Sequence, residues 1–169
     1  ASKTYVTNGA KATLLLTLVK HPPSEGETKP KISLLIVEKA YPKVSMTSTF
    51  EKTAFHLVDT VQIEMDGVAV PKPQLLGAVE GRGFAQLMDS LEIGRISIAA
   101  SAVGLAANAL SEAKRYAAER VTFGVTIDQH QAIQMKLADM ATKLVGARLM
   151  TMEAAAAKER GGRCDMITA

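Results

Sequence analysis

The chain has 169 residues and is 47% hydrophobic, enough for one ordinary domain or parts of two, which excludes a disordered tail. Its 20 basic and 17 acidic residues are interleaved rather than blocked, so the net charge of +3 makes no case for a nucleic-acid partner. The single cysteine, Cys164, cannot close an internal disulfide and suits a reducing compartment, and no Cys/His cluster offers a metal site.

At the start, Ala1-Ser2-Lys3-Thr4-Tyr5 lacks the charged opening and apolar run of a signal peptide. Lys3 to Thr7 and Ala12 to Lys20 have strand character and flank Asn8-Gly9, a dipeptide suited to a tight hairpin turn. His21 to Pro30 holds three prolines with Ser24 and Gly26 and reads as a solvent loop. Lys31 to Glu38 is a continuous apolar run of strand length. Lys43 to Thr49 and Val58 to Met65 read as further strands, Asp66-Gly67 as a turn, and Pro71 and Pro73 as the end of the sheet, since proline cannot donate to a ladder.

Composition changes near Gly77 to Gly83. All six prolines precede residue 74 and all seven arginines follow it. The expected fold class is therefore α+β: an antiparallel β portion over residues 1–77, then a helical portion over 78–169 with long antiparallel helices at about 81–118 and 128–160. In the first helix, Phe84, Leu87, Met88, Leu91, Arg95, Ile98, Ala99, Val103, Ala106 and Leu110 recur at spacings of three and four, so one stripe faces a core. Arg95 is the only charge on it, and a guanidinium cannot shed its proton, so burial would demand a carboxylate or a polar cleft. The stretch Ile96 to Ala107 is interrupted by Ser97 and Ser101, so no membrane span is expected and the chain reads as soluble and cytoplasmic. Asp128, with Gln131 three residues on, stands in capping-box position for the second helix, whose broad face of Ile133, Leu137, Met140, Leu144 and Ala147 suits a bundle. Gly161-Gly162 stops it, and Arg163 to Ala169 is too short to form an element.

Tyr5-Val6-Thr7-Asn8-Gly9, Val68-Ala69-Val70-Pro71 with Leu75-Leu76-Gly77, Gly81-Arg82-Gly83-Phe84, Arg95, Gly104-Leu105, Glu119-Arg120-Val121-Thr122-Phe123-Gly124 and His130-Gln131-Ala132-Ile133 stand in order and register over nearly the whole chain. In these motifs the sequence resembles the acyl-CoA dehydrogenase family. The resemblance implies a partial chain, comprising the second half of the middle β-domain and the first two helices of a C-terminal four-helix bundle. It also implies FAD as cofactor, α,β-dehydrogenation of an acyl-CoA thioester, an electron-transferring flavoprotein as acceptor, and a homo-oligomer, either a tetramer or a dimer.

Site residues follow from the matched positions, each beside an ordinary structural reading. The resemblance lays Tyr5 and Thr7 against the flavin, where they could equally be plain strand residues sharing one face. Arg120, Thr122 and Phe123 match a segment that holds the diphosphate and adenine end of a neighbouring subunit's FAD; otherwise Arg120 is a cation well placed at a helix C-terminus. His130 and Gln131 match cofactor ribose and phosphate contacts, or are polar first-turn residues of a capped helix. Glu92 and Arg95 match residues near the acyl thioester, or form a helix ion pair worth about 0.2–0.5 kcal/mol.

Two departures from the family pattern matter. Some members carry their catalytic glutamate where this chain has Gly94, so no catalytic residue is assigned here and the chain alone is expected to be inactive. In Ala54-Phe55-His56-Leu57-Val58-Asp59-Thr60 the usual glycines and basic residue are missing, and His56 has no nucleophile or carboxylate placed beside it by sequence. The other functions compatible with these residues are a flavin-dependent oxidase or monooxygenase of the same architecture, or a non-enzymatic helical assembly module.

Overall fold

The computed structural model describes residues 1–22, 26, 28, 30–162 and 164. Most of the expected solvent loop between His21 and Pro30, and all of Arg163 to Ala169 except Cys164, lie outside the described residues. The chain divides into two compact units, residues 1–88 and 89–169.

The first unit is antiparallel β. Strands β1 (Ser2–Thr7), β2 (Leu14–Lys20), β3 (Ile32–Glu38), β4 (Val44–Thr49) and β5 (Thr60–Met65) form a three-stranded sheet in the order β1-β5-β4 and a two-stranded sheet β2-β3. The core is Leu15 from β2, Val37 from β3, and Val61 and Ile63 from β5, with Val6, Val44 and Met65 packed around it. In β2 the period-two alternation does the sorting: Leu15 and Thr17 are buried, while Leu14 and Leu16 point outward.

Asn8-Gly9 turns the chain but does not make the expected hairpin. β1 pairs with β5, in a register that sets Thr7 opposite Thr60, and β2 pairs with β3. The reason is a competing anchor. The Asn8 amide donates to the Asp59 carbonyl at 2.9 Å and the Ala10 amide to Asp59 Oδ1 at 2.9 Å, tying the turn to the approach of β5. Gly9 is buried against Val61, where a Cβ would come within 2.5 Å of the valine Cγ2.

Beyond β5, Gly67 adopts φ +62° at the expected Asp66-Gly67 turn, and the prolines fall in and beside a short 3-10 turn, Lys72–Gln74. Helix α1 (Gly83–Glu119) starts hard against β3. A Cβ on Gly83 would lie 2.4 Å from the Ser33 carbonyl carbon, and the Gly81 amide donates to Ser33 Oγ at 3.0 Å.

The expectation that everything after Gly83 is helical needs correction. Two-residue strands β6 (Val121–Thr122) and β7 (Val125–Thr126) form a small antiparallel hairpin before helix α2 (Gln131–Glu159). The α+β class stands. Asp128 is not the cap of α2; it lies in the 3-10 turn Ile127–Gln129 and accepts from the Thr126 hydroxyl, and His130 takes the N-cap position without a side-chain cap bond. Gly161 ends α2 with φ +76°.

Within the second unit, Lys158 of α2 reaches Asp89 and Glu92 near its start, which makes α1 and α2 antiparallel. Their facing surfaces leave an open apolar groove of about 520 Å³ between Val103 and Ala106 on α1 and Met140 and Leu144 on α2. The stripe expected to face a core is therefore largely open within this chain: Ile98 is 73% exposed, and Arg95 is exposed with it. By length and composition α1 could cross a membrane, with a mean hydropathy of 1.4 in its most apolar window. Ser97 and Ser101 lie within this helix, where each hydroxyl donates to the carbonyl four residues earlier at 3.0 Å.

Candidate functional site

α1 ends as the Arg120 amide closes onto the Tyr116 carbonyl at 2.9 Å, and the Ile127 amide returns to the Arg120 carbonyl at 2.8 Å. The hairpin between these bonds sets Val121 opposite Thr126 and Thr122 opposite Val125. Its two turn residues, Phe123 (φ +52°) and Gly124 (φ +85°), are both left-handed, the requirement of a tight two-residue turn. Glycine meets that requirement without cost, whereas a bulky aromatic there is strained. Phe123 is nonetheless held there with its ring 98% exposed.

The hairpin folds back on the start of α2. Thr122 Oγ1 and His130 Nε2 are 3.0 Å apart, and the Phe123 and His130 rings meet edge to face with centroids 6.1 Å apart. The His130 backbone is fixed on both sides, its amide donating to Ile127 and its carbonyl accepting from Ile133 and Gln134. Gln131 and Arg120 are exposed beside this knot. The structure thus gathers Arg120, Thr122, Phe123, His130 and Gln131 into one short segment of the second unit.

Tyr5 and Thr7 lie in the first unit, outside that knot. Tyr5 has φ +59° at a bulge between Lys3 and Val6, is 70% exposed, and packs on Phe50 at a centroid distance of 4.7 Å. Thr7 is exposed at the end of β1, with the inward Val6 between the two.

Glu92 and Arg95 do not pair with each other. Glu92 is 8% exposed, and its Oε2 accepts from Lys158 at 3.0 Å and from the buried Cys164 thiol at 3.6 Å. Hydrogen bonds to Asp89 and then Glu92 hold the Lys158 ammonium above the ordinary lysine range. Arg95 stays exposed, and a side chain at Gly94 would meet nothing within 4 Å. Among the described residues, no group of three acids, histidines or cysteines could hold a metal.

Sequence reasoning missed Lys158. The signal was available: counting outward from the connection between two antiparallel helices sets the last turn of α2 opposite the start of α1. In the β4–β5 loop, His56 Nε2 lies 2.7 Å from the Lys52 carbonyl, so the imidazole helps close its own loop.

The family model "Acyl-CoA dehydrogenase, C-terminal domain" matches residues 81–169, more than half of the chain. The chain belongs to the acyl-CoA dehydrogenase family. An acyl-CoA dehydrogenase of Bacillus subtilis (strain 168) is 40% identical over 163 residues, covering 96% of this chain and 42% of that protein. The butyryl-CoA dehydrogenase of Megasphaera elsdenii superposes with a TM-score of 0.89 at 33% identity, covering 99% of this chain and 43% of that one. An acyl-CoA dehydrogenase of Bacillus anthracis complexed with FAD gives 0.76 at 31% identity over 89% of this chain and 25% of that one. This acyl-CoA dehydrogenase chain therefore spans less than half the length of these relatives. Its family-matched part contains Glu92, Arg95 and the whole hairpin knot, while Tyr5 and Thr7 precede it.

Proposed function

We propose that the chain is part of an FAD-dependent enzyme that dehydrogenates an acyl-CoA thioester between C2 and C3 and passes electrons to an electron-transferring flavoprotein. The observation that carries this reading is the gathering of Arg120, Thr122, Phe123 and His130 at one hairpin within the family-matched segment. The donor set fits a dinucleotide. A guanidinium fork suits diphosphate oxygens, and the exposed Phe123 ring offers a flat apolar face to a base. Of the two acids that flank this segment, Glu119 is paired with Arg115 and Asp128 accepts from the Thr126 hydroxyl.

When bound, FAD supplies the hydride acceptor that no side chain can provide. The chain's own residues bind and orient. Tyr5 and Thr7 present an aromatic face and a hydroxyl from β1, and Arg95 presents its charge on the exposed side of α1 to the thioester end of the substrate. Glu92 serves that end from a fixed place, held by Lys158. Gly94 holds no carboxylate, so the C2 proton needs a base from another part of the protein. The 98% exposure of Phe123 suits a hairpin that reaches into a neighbouring subunit of a homo-oligomer, and a cytoplasmic setting fits the one free cysteine.

Arg120→Ala in the full-length enzyme tests this reading. Flavin content and oligomer should fall together, by absorbance and gel filtration, more than acyl-CoA affinity falls. Full flavin content with an intact oligomer would overturn the assignment. The 169-residue chain alone should show no turnover with FAD, acyl-CoA thioesters and an artificial acceptor. Flavin bleaching that Arg95→Ala abolishes would show that a complete site is present.

A further inference from the structure

Glu92 and Arg95 stand three residues apart on α1, neighbours on a helix surface and of opposite charge, yet they do not pair. The carboxylate is drawn to the other helix. Lys158, in the last turn of α2, donates to Glu92 Oε2 at 3.0 Å, and the buried Cys164 thiol donates to the same oxygen at 3.6 Å. A bond from the same ammonium to Asp89 fixes it from a second side. The Lys158 and Glu92 side chains are 22% and 10% exposed, so water screens their attraction little. Arg95 is exposed and forms no ion pair among the described residues.

The charges show what the Lys158 contact prevents. Without it, Glu92 would be a buried carboxylate whose remaining partner is a thiol, a costly state that any cation within reach relieves. The nearest cation along the chain is Arg95, one helical turn away. A guanidinium that turns to a carboxylate of its own helix gives up both its net charge and the donors it would offer to an oxygen from outside. The contact that buries Glu92 therefore also decides whether the Arg95 charge is cancelled locally.

We propose that Lys158 is a positioning residue for acyl-CoA: by holding the Glu92 carboxylate at α2 it keeps Arg95 from being neutralised within its own helix, so that the guanidinium stays available to the thioester end of the substrate. This rests on the reading of Arg95 as a thioester-end residue. Lys158 acts through Arg95 and touches no substrate itself. Because the thioester is common to every acyl-CoA, the contribution of Lys158 does not depend on the acyl chain.

The test uses the full-length, flavin-loaded enzyme and the KM for each of butyryl-, octanoyl- and palmitoyl-CoA that it turns over. Lys158→Met should raise KM about two- to fivefold, by the same factor for each thioester. Lys158→Arg, which keeps a cation between the two acids, should recover most of the loss. Lys158→Met/Glu92→Gln should bind more tightly than Lys158→Met alone, because the carboxylate that captures Arg95 is gone. On an Arg95→Ala background, Lys158→Met should change KM no further. A loss that persists without Arg95, that varies with the acyl chain, or that neither Lys158→Arg nor Glu92→Gln relieves marks general packing and overturns the proposal. If Arg95→Ala raises KM and Lys158→Met does not, the proposal fails while the thioester reading of Arg95 survives. If Arg95→Ala itself leaves KM unchanged, that reading fails and the proposal falls with it.

Discussion

Lys158, in the last turn of α2, reaches back over 66 residues to Glu92 at 3.0 Å and holds Asp89 with the same ammonium. Glu92 is all but buried, so the carboxylate has exchanged water for one cation and the Cys164 thiol. Removing Lys158 leaves the Glu92 charge buried and unpaired, whereas removing Glu92 leaves Lys158 its bond to the exposed Asp89. Lys158→Met and Glu92→Gln should each lower the thermal midpoint, and the double variant should lose clearly less than the sum. Additive losses in that cycle would show that the two side chains are not coupled.

The same pair sets a pH dependence. The Lys158 pKa is raised in the folded chain, first by the Asp89 hydrogen bond and then by Glu92, above an unfolded value near 10.5. A raised pKa means that the native state binds the proton more tightly, so the stabilisation is complete below pH 10.5 and is lost as pH rises through the folded value. The stability difference between the unaltered chain and Lys158→Met should stay flat from neutral to mildly alkaline pH and shrink only above that. Denaturant titrations at a series of pH values check it, and a difference that vanishes near neutrality would contradict it.

Gly83 and Gly94 should respond to alanine with opposite signs. At Gly83 the new methyl would run into the Ser33 and Leu34 backbone at 2.4–2.6 Å, and backbone cannot step aside as a side chain can. Gly83→Ala should therefore cost about 1–3 kcal/mol. At Gly94 the methyl meets nothing within 4 Å, so Gly94→Ala should gain about 0.5–1 kcal/mol from the lost backbone freedom of the unfolded chain. Thermal melts of the two variants decide it.

Phe123 should trade stability against binding. Asparagine tolerates φ +52° far better than phenylalanine, and Asn-Gly is the favoured pair for this turn. Phe123→Asn should raise the melting temperature of the chain, by on the order of 1 kcal/mol in stability, while lowering flavin retention in the full-length enzyme. Unchanged retention would mean that the strain at this turn serves something other than the cofactor.

Local physics was legible in the residues themselves. The strand character of Ala12 to Lys20, the turn at Asp66-Gly67, the prolines beyond it and the stop at Gly161 each depend on φ/ψ preference and residue type within a few residues, and each stands where the sequence places it. The motif order was enough to indicate the family. Both helices also stand within a few residues of their expected bounds.

Partner choice was decided only in three dimensions. Asn8-Gly9 can turn a chain, but whether the strands beside it pair depends on Asp59, about fifty residues away, which captures the Asn8 and Ala10 amides and hands β1 to β5. Asp128 has the chemistry of a cap, yet the Thr126 hydroxyl claims it and His130 takes the position. Glu92 could have paired with Arg95 one turn along its helix, worth a few tenths of a kcal/mol in water, but burial beside Lys158 offers a less screened attraction. In each case the sequence determined what a side chain could do, and the tertiary structure chose among its partners, because the energy of that choice comes from burial and from groups remote along the chain.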